Sequence, residues 1–227
     1  MNNTPVIFES DWVEPRSRAT TFFRAILAIP HFIVLCAYGF VAFFALVAAW
    51  FALVITGRYP EGIYGFLSGF LRYSTATYGY LYLLTDQYPP FGPTGTDDYP
   101  VRLRIGPPKA EYNRLHTFFR AITAIPVLIV NYAMQLVAQV GAFIAWFAIV
   151  ILGRQVKGLQ EMIELGLSYQ QRSMTYMLLL NEDWFPPITS PPAITGTPAP
   201  TEIAPSAPPP ASPLPPTGLS SGDPLAG

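Results

Sequence analysis

The sequence predicts an all-α integral membrane protein made of two tandem repeats. One observation is a pattern written twice. Arg18 to Pro30 reads R-A-T-T-F-F-R-A-I-L-A-I-P and Arg114 to Pro126 reads R-L-H-T-F-F-R-A-I-T-A-I-P, identical at 10 of 13 positions. The match resumes at the same offset of 96, with A-W-F-A-L-V-I-T-G-R from Ala49 to Arg58 and A-W-F-A-I-V-I-L-G-R from Ala145 to Arg154, identical at 8 of 10. The last observation is the segregation of charge. Only 12% of the 227 residues are charged, against about 25% in a soluble domain. Asp, Glu, Lys and Arg are all absent between Ala25 and Thr56 and between Ala121 and Leu152. Uncharged apolar runs longer than about 18 residues have lipid as their natural solvent.

The formal net charge is −1, so no global field favours nucleic acid, and no nucleic-acid partner is expected. Cys36 is the only cysteine. It cannot form an intramolecular disulfide and is expected to pack as a small apolar side chain. The N-terminal stretch lacks a basic segment followed by an apolar one, so no cleavable signal is expected and the first apolar run would drive insertion.

In chain order, each repeat opens on a short extended piece. Val101, Leu103 and Ile105 alternate with Arg102 and Arg104, a period of two that reads as a half-buried strand. Val6 to Phe8 lies at the matching place in the first copy, and the two strands are expected to be able to pair. The Thr-Phe-Phe-Arg motif then enters the apolar run, with phenylalanines at headgroup level and Arg24 or Arg120 reaching for phosphate. Pro30 and Pro126 should kink the helix or mark where it dives.

The run from Ala25 to Ile55 holds 31 residues. That is about 46 Å of helix against about 30 Å of hydrocarbon. Two short helices in a hairpin are favoured over one long tilted helix. A hairpin collects every basic residue on one membrane face and places Asn131, Gln135 and Gln139 at its tip rather than in the bilayer centre. The same three residues at i, i+4 and i+8 also fit one face of a continuous helix that hydrogen-bonds a neighbour. After Gly57-Arg58 and Gly153-Arg154 comes an amphipathic helix, expected at the membrane interface. Its apolar face in copy two runs from Leu159 through Ile163 and Leu167 to Leu178, and Glu161, Glu164, Ser168, Gln171, Arg172 and Thr175 line the other. An acidic residue, an aromatic and a proline pair close each copy. The expected organisation is repeat one over residues 4–92, a linker at 93–98, repeat two at 99–188, and a disordered tail rich in Pro, Ala, Ser and Thr at 189–227.

With both repeats laid out, the chain resembles two tandem copies of the bacterial domain-of-unknown-function family 4389. The carriers are Phe22-Phe23-Arg24 with Ala28-Ile29-Pro30-His31, Ala49-Trp50-Phe51-Ala52 with Gly57-Arg58-Tyr59-Pro60, Arg72-Tyr73, and Leu84-Thr85-Asp86 with Tyr88-Pro89-Pro90-Phe91. The resemblance spans about residues 4 to 188. It implies a bacterial membrane protein with no assigned activity. Copy two departs from the pattern where Val127 replaces His31, Gln155-Val156 replaces Tyr59-Pro60, and Ser168 replaces Arg72.

The candidate site residues follow from placement. Arg24, Arg58, Arg120 and Arg154 bracket both runs and are expected to form a basic rim for anionic lipid headgroups or another anion. Arg72 and Arg172 join the set, each able to pair with the acidic end of its own segment, Asp86 or Glu182-Asp183. Asn131, Gln135 and Gln139 form a candidate polar stripe. His31 and His116 have no carboxylate or cysteine at metal-ligand spacing, so no metal, cofactor or catalytic residue is expected. The expected role is a non-enzymatic membrane scaffold or lipid-contacting accessory protein. The alternative is a small transporter or channel subunit with a path between the repeats. Lipid is the expected partner, with a protein ligand of the Pro-rich tail a further option. The expected location is a bacterial plasma membrane, with charged segments and tail cytoplasmic.

Overall fold

Strand β1 (Val6–Ser10) precedes the 39-residue helix α1 (Arg18–Thr56), which is followed by α2 (Glu61–Leu81). Strand β2 (Val101–Ile105) precedes α3 (Arg114–Phe118), α4 (Arg120–Leu152) and α5 (Lys157–Met177). The computed structural model describes residues 6–12, 16–182, 184–186 and 188. The expected tail at 189–227 lies outside them.

Each apolar run forms one continuous helix, not a hairpin. Ser17 caps α1, its Oγ accepting from Thr20 N, and Asn113 caps α3 at the matching place, its Oδ1 accepting from Leu115 N and His116 N. Gly57 and Gly153 end α1 and α4 in the left-handed region, with φ of 73° and 74°, where a side chain would be strained. This explains the repeated Gly-Arg. In copy two the helix breaks once, at Phe119, which separates α3 from α4. Both long helices run through their prolines. A proline disturbs the ladder in the turn before it, leaving acceptor capacity there. Tyr88 Oη donates to Leu27 O and Trp184 Nε1 to Thr123 O, each 3.2 Å long and each three residues before the proline.

Two helical pairs result. α2 folds back along α1 and α5 folds back along α4. The α4–α5 pair is the closer, because Gly166 lies against Ala138 and the Met134 carbonyl while Gly141 lies against Ile163 and Met162. The copy-one counterpart of Gly166 is Phe70, whose ring lies beside Gly39, 3.7 Å from where a Cβ would stand. α1 and α4 run antiparallel. Trp50 Nε1 near the end of α1 donates to Thr117 O, and Trp146 Nε1 near the end of α4 donates to Thr21 O, both at 3.2 Å. The pairs are thus related by a pseudo-twofold axis.

The two strands pair antiparallel, with Phe8 opposite Leu103 and Glu9 opposite Arg102. Phe8, Val101 and Leu103 are buried, while Arg102 and Arg104 turn the other way to meet Glu9. The sheet rests on α2 and α5. Val101 fits the notch at Gly79, where a Cβ would come within 2.6 Å of it, and Tyr64 Oη donates to Gly106 O at 2.7 Å. β1 packs on α5. The order of layers is therefore sheet, then α2 with α5, then α1 with α4.

This order corrects the expectation of surface-lying amphipathic helices. α2 and α5 occupy the middle layer, and Ser168, Gln171 and Thr175, read as an outward polar face, are buried. The middle layer has neighbours on both faces, so much of its polar side is covered, although Glu161 stays exposed.

The long helices are inverted relative to a water-soluble fold. The buried stripe of α1 is Thr21, Arg24, Ala28, His31, Leu35, Ala42, Ala49 and Leu53. That of α4 is Arg120, Ala124, Val127, Asn131, Ala138, Gly141, Ala145 and Ile149. Small and polar residues point inward, and large apolar ones such as Phe40, Phe43, Phe44, Ile129 and Phe143 point outward. Each long helix is apolar enough and long enough to cross a membrane.

Gly166→Ala forces a Cβ within 2.5 Å of the Met134 carbonyl and is expected to cost about 1–3 kcal/mol in overpacking. Gly65→Ala, in open space on α2, is expected to be neutral or to stabilise by up to about 1 kcal/mol. Thermal unfolding of the two variants beside the parent checks the difference in sign.

Candidate functional site: paired arginine grooves

α2 and α5 end alike. Leu83 and Leu179 take left-handed φ of 67° and 63°, although neither is glycine. The backbone cost of about 1–2 kcal/mol is offset by burying both leucine side chains. The turn closes with Leu84 N donating to Gly79 O and Leu180 N to Thr175 O. The last helical carbonyls still need donors, and this end of a helix favours a cation.

Arg24 and Arg120 supply the donors from the long helices. Arg24 Nη1 donates to Tyr80 O and, at 2.8 Å, to Thr85 O, while Nη2 pairs with Asp86. Its guanidinium lies 4.5 Å from the centre of the Tyr80 ring. Arg120 Nε donates to Tyr176 O at 3.0 Å and Nη2 donates to Asn181 O, with the guanidinium 3.8 Å from the Tyr176 ring centre. Arg24 and Arg120 are 2% and 5% exposed. They do not stand on a lipid-facing rim. Each reaches inward to the adjoining helix end, where it adds a charged donor to a carbonyl, Tyr80 O or Tyr176 O, that otherwise accepts from the backbone of the turn, Leu83 N or Leu179 N.

The counter-ions differ between copies. Asp86 pairs with Arg24, accepts from Ser17 N at 2.7 Å and lies 4.0 Å from Arg16 Nη1. Its counterpart Glu182 instead pairs with Lys109 at 3.1 Å and accepts from Asn113 N at 2.7 Å. Among the described residues, Asp86 and Glu182 therefore do not pair with Arg72 or Arg172 as expected, and Asp183 lies outside the described residues. Arg72 pairs with Asp97 at 3.6 Å. Arg172 is half-buried on α5, and burial lowers its pKa.

Beside each buried arginine lies a groove between α1 and α4. The first, about 450 Å³, is lined by Thr21, Phe22, Arg24 and Ala25 of α1, the turn Leu81–Leu83, and Gln139, Ala142, Phe143 and Trp146 of α4. The second, about 430 Å³, is its symmetry mate, with Arg120, Ala121, Ala124 and Leu128 of α4, Met177, Leu179, and Leu46, Val47 and Trp50 of α1. Both are apolar troughs with a guanidinium at one wall.

Arg58 and Arg154 are exposed at the ends of α1 and α4. Arg154 shares a polar hollow with Trp12, Gln155, Val156 and Lys157. The polar stripe is divided. Asn131 is buried, Gln135 is half-buried, and Gln139 is exposed on the first groove. Four residues advance a helix about 40° beyond one turn, so the three drift from the inner to the outer face. His31 is buried, its Nδ1 at 2.8 Å from Tyr73 Oη and its ring stacked on Phe91. Among the described residues no three His, Cys, Asp or Glu side chains group to hold a metal.

Sequence reasoning missed Arg16, Arg18 and Arg114. Arg16 is buried and its Nη2 donates to Leu84 O at 2.8 Å. Arg18 lies over Gly153, and Arg114 lies over Gly57 and donates to Thr56 O at 3.1 Å. Arg18 and Arg114 open the repeated motif, which was the available signal.

The profile of the domain of unknown function DUF4389 matches residues 18–92 and again residues 114–189. The chain belongs to the DUF4389 family. Its two copies are the two halves just described, each with one buried arginine and one groove. No curated protein and no solved structure matches the chain.

Two outcomes follow for the DUF4389 arginine nodes. Asp86→Ala strips the carboxylate from buried Arg24 and is expected to cost about 3 kcal/mol or more, whereas Glu182→Ala costs less, because Glu182 pairs with Lys109 and makes no direct bond to Arg120. Chemical unfolding in detergent ranks them. Glu164, on α5, is raised above the ordinary carboxyl range by burial, an effect opposed by the hydrogen bond from Gln160 Nε2 at 2.8 Å. A raised carboxyl binds its proton more tightly folded than unfolded. Its contribution is full below the ordinary value of about 4.3 and is lost as pH rises through the folded value. Glu164→Gln is therefore expected to be more stable than the parent at neutral pH, with the gap closing as pH falls toward about 4. Melting curves across that range measure it.

Proposed function

We propose that this tandem DUF4389 protein is a non-enzymatic, lipid-contacting membrane protein, acting as a scaffold or accessory in a bacterial plasma membrane. The observation that carries the reading is the inversion of α1 and α4. Phe40 is 68% exposed and Phe43 61%, while Arg24 and His31 are inside. In water, an apolar face running the length of two helices of 39 and 33 residues far exceeds what a soluble surface carries. In lipid the same face is solvated and the inward polar groups find protein partners. The two arginine-walled troughs then open toward acyl chains and headgroups, which suits contact with lipid. The sharing of one sheet and one core by both copies suits a rigid platform.

The full chain is expected to sediment with membranes, to stay there through high-salt and alkaline carbonate washes, and to be released by detergent. Replacing Phe40, Phe43 and Phe44 together with Ser removes apolar surface worth about 1.5–3 kcal/mol per residue when buried in lipid. That variant is expected to appear partly in the wash. A parent chain that is monodisperse in buffer without detergent overturns the proposal.

A further inference from the structure

We infer that the protein inserts into one leaflet only, with α1 and α4 lying in the membrane plane and the β1–β2 sheet in water. The inference rests on the membrane reading above and concerns how the molecule sits.

If α1 crossed the bilayer, its two ends would lie in opposite aqueous phases. The chain that connects those ends outside the helix argues against this. Tyr99 Oη donates to Gln87 O at 2.6 Å, and the adjacent Asp86 accepts from Ser17 N, so Tyr99 stands at the start of α1. Tyr112 N donates to Gly57 O at 2.9 Å, so Tyr112 stands at its end. Between them run β2 and an irregular stretch with Arg102, Arg104, Lys109 and Glu111. In a crossing orientation this segment would traverse the hydrocarbon beside the helices. The side chain of Arg104 is 61% exposed, Glu111 is exposed, and each strand of a two-stranded sheet has one open edge. Lipid-exposed irregular backbone and open sheet edges do not occur in the hydrocarbon region, and charged side chains there are costly.

The layers supply the alternative. The sheet lies on one side of α2 and α5, and the apolar faces of α1 and α4 lie on the other. Laid flat, the outer layer is about 10–12 Å thick, within the roughly 15 Å that is half of a bilayer core. Both ends of both long helices then sit at one depth. Arg18 beside Gly153, Arg114 beside Gly57, and Arg58 and Arg154 next to those glycines all fall at the headgroup plane of the same leaflet, where snorkelling to phosphate is cheap. The 39 residues of α1 need no tilt, since an in-plane helix has no thickness to match.

Single cysteines test this in the full chain with Cys36→Ala. Arg18→Cys, Arg58→Cys and Arg104→Cys are placed in turn, and a membrane-impermeant maleimide is applied to right-side-out and to inverted vesicles. The expected result is that all three react from the same side. Reaction of Arg18→Cys and Arg58→Cys from opposite sides means that α1 crosses, and it overturns the inference while leaving the membrane reading intact. A chain washed off the vesicles by carbonate overturns both. Ala19→Cys at the start of α1 and Glu61→Cys at the start of α2, just past the other end of α1, are also exposed and repeat the measurement if an arginine variant fails to fold.

Discussion

The structure depends on a guanidinium at the end of a helix. A charge buried in an apolar layer is destabilising unless it is fully partnered. Arg24 and Arg120 find their acceptors where α2 and α5 terminate, at the carbonyls of Tyr80 and Thr85 and of Tyr176 and Asn181, which the turns after the helices bring together. Each arginine fixes the axial position of its long helix against the returning one. The left-handed leucine at each helix end then places its side chain into the core, and the adjoining acidic residue caps the start of the long helix. Cap, node and turn form one assembly, which is why these motifs recur together at a constant offset.

Much of this was legible in the sequence. The Gly-Arg pairs marked the ends of α1 and α4, since a left-handed residue after a helix asks for glycine. The alternation of Val101, Leu103 and Ile105 with arginines marked β2, and its sheet partner followed from the repeat. The node itself was less visible. An arginine at the edge of an apolar run reads as a snorkelling residue, and its acceptors lie 56 and 61 residues away. Only the recurrence of an Arg–Tyr separation of 56 in both copies, Arg24 with Tyr80 and Arg120 with Tyr176, carried the information, and it has meaning only once a fold-back is assumed. The hairpin expectation failed for a different reason. It weighed two crossings against one tilted crossing, and both alternatives presume that the run crosses the bilayer.

The two copies have diverged in how they hold their long helix. Copy two relies on close backbone approach through Gly141 and Gly166, and its histidine position holds Val127. Copy one is wider, and aromatic rings occupy the space. Phe70 sits by Gly39, Tyr38 contacts Phe66, and His31 is enclosed by Tyr73, Tyr88 and Phe91. Copy one also neutralises its buried arginine with Asp86, whereas Glu182 is drawn to Lys109. The grooves therefore share a shape but not an electrostatic setting. Among the described residues, the guanidinium beside the second groove, that of Arg120, has only carbonyl acceptors in its direct hydrogen bonds.

The direction of the pseudo-twofold axis ties these features together. In an inverted-repeat transporter that axis lies in the membrane plane, and the two halves face opposite sides. Here it passes through the sheet, between α2 and α5, and between α1 and α4, so the layers stack along it from charged to apolar. A fold whose polarity changes along its own symmetry axis is matched by an environment that changes the same way, and a membrane surface changes along its normal. Aligning the axis with the normal puts Glu9, Asp11, Arg102 and Arg104 in water and the outward phenylalanines in acyl chains. Turning it by 90° would put part of each in the wrong solvent. In the in-plane placement we propose, duplication within one chain gives a broad apolar platform in which both halves meet the same leaflet.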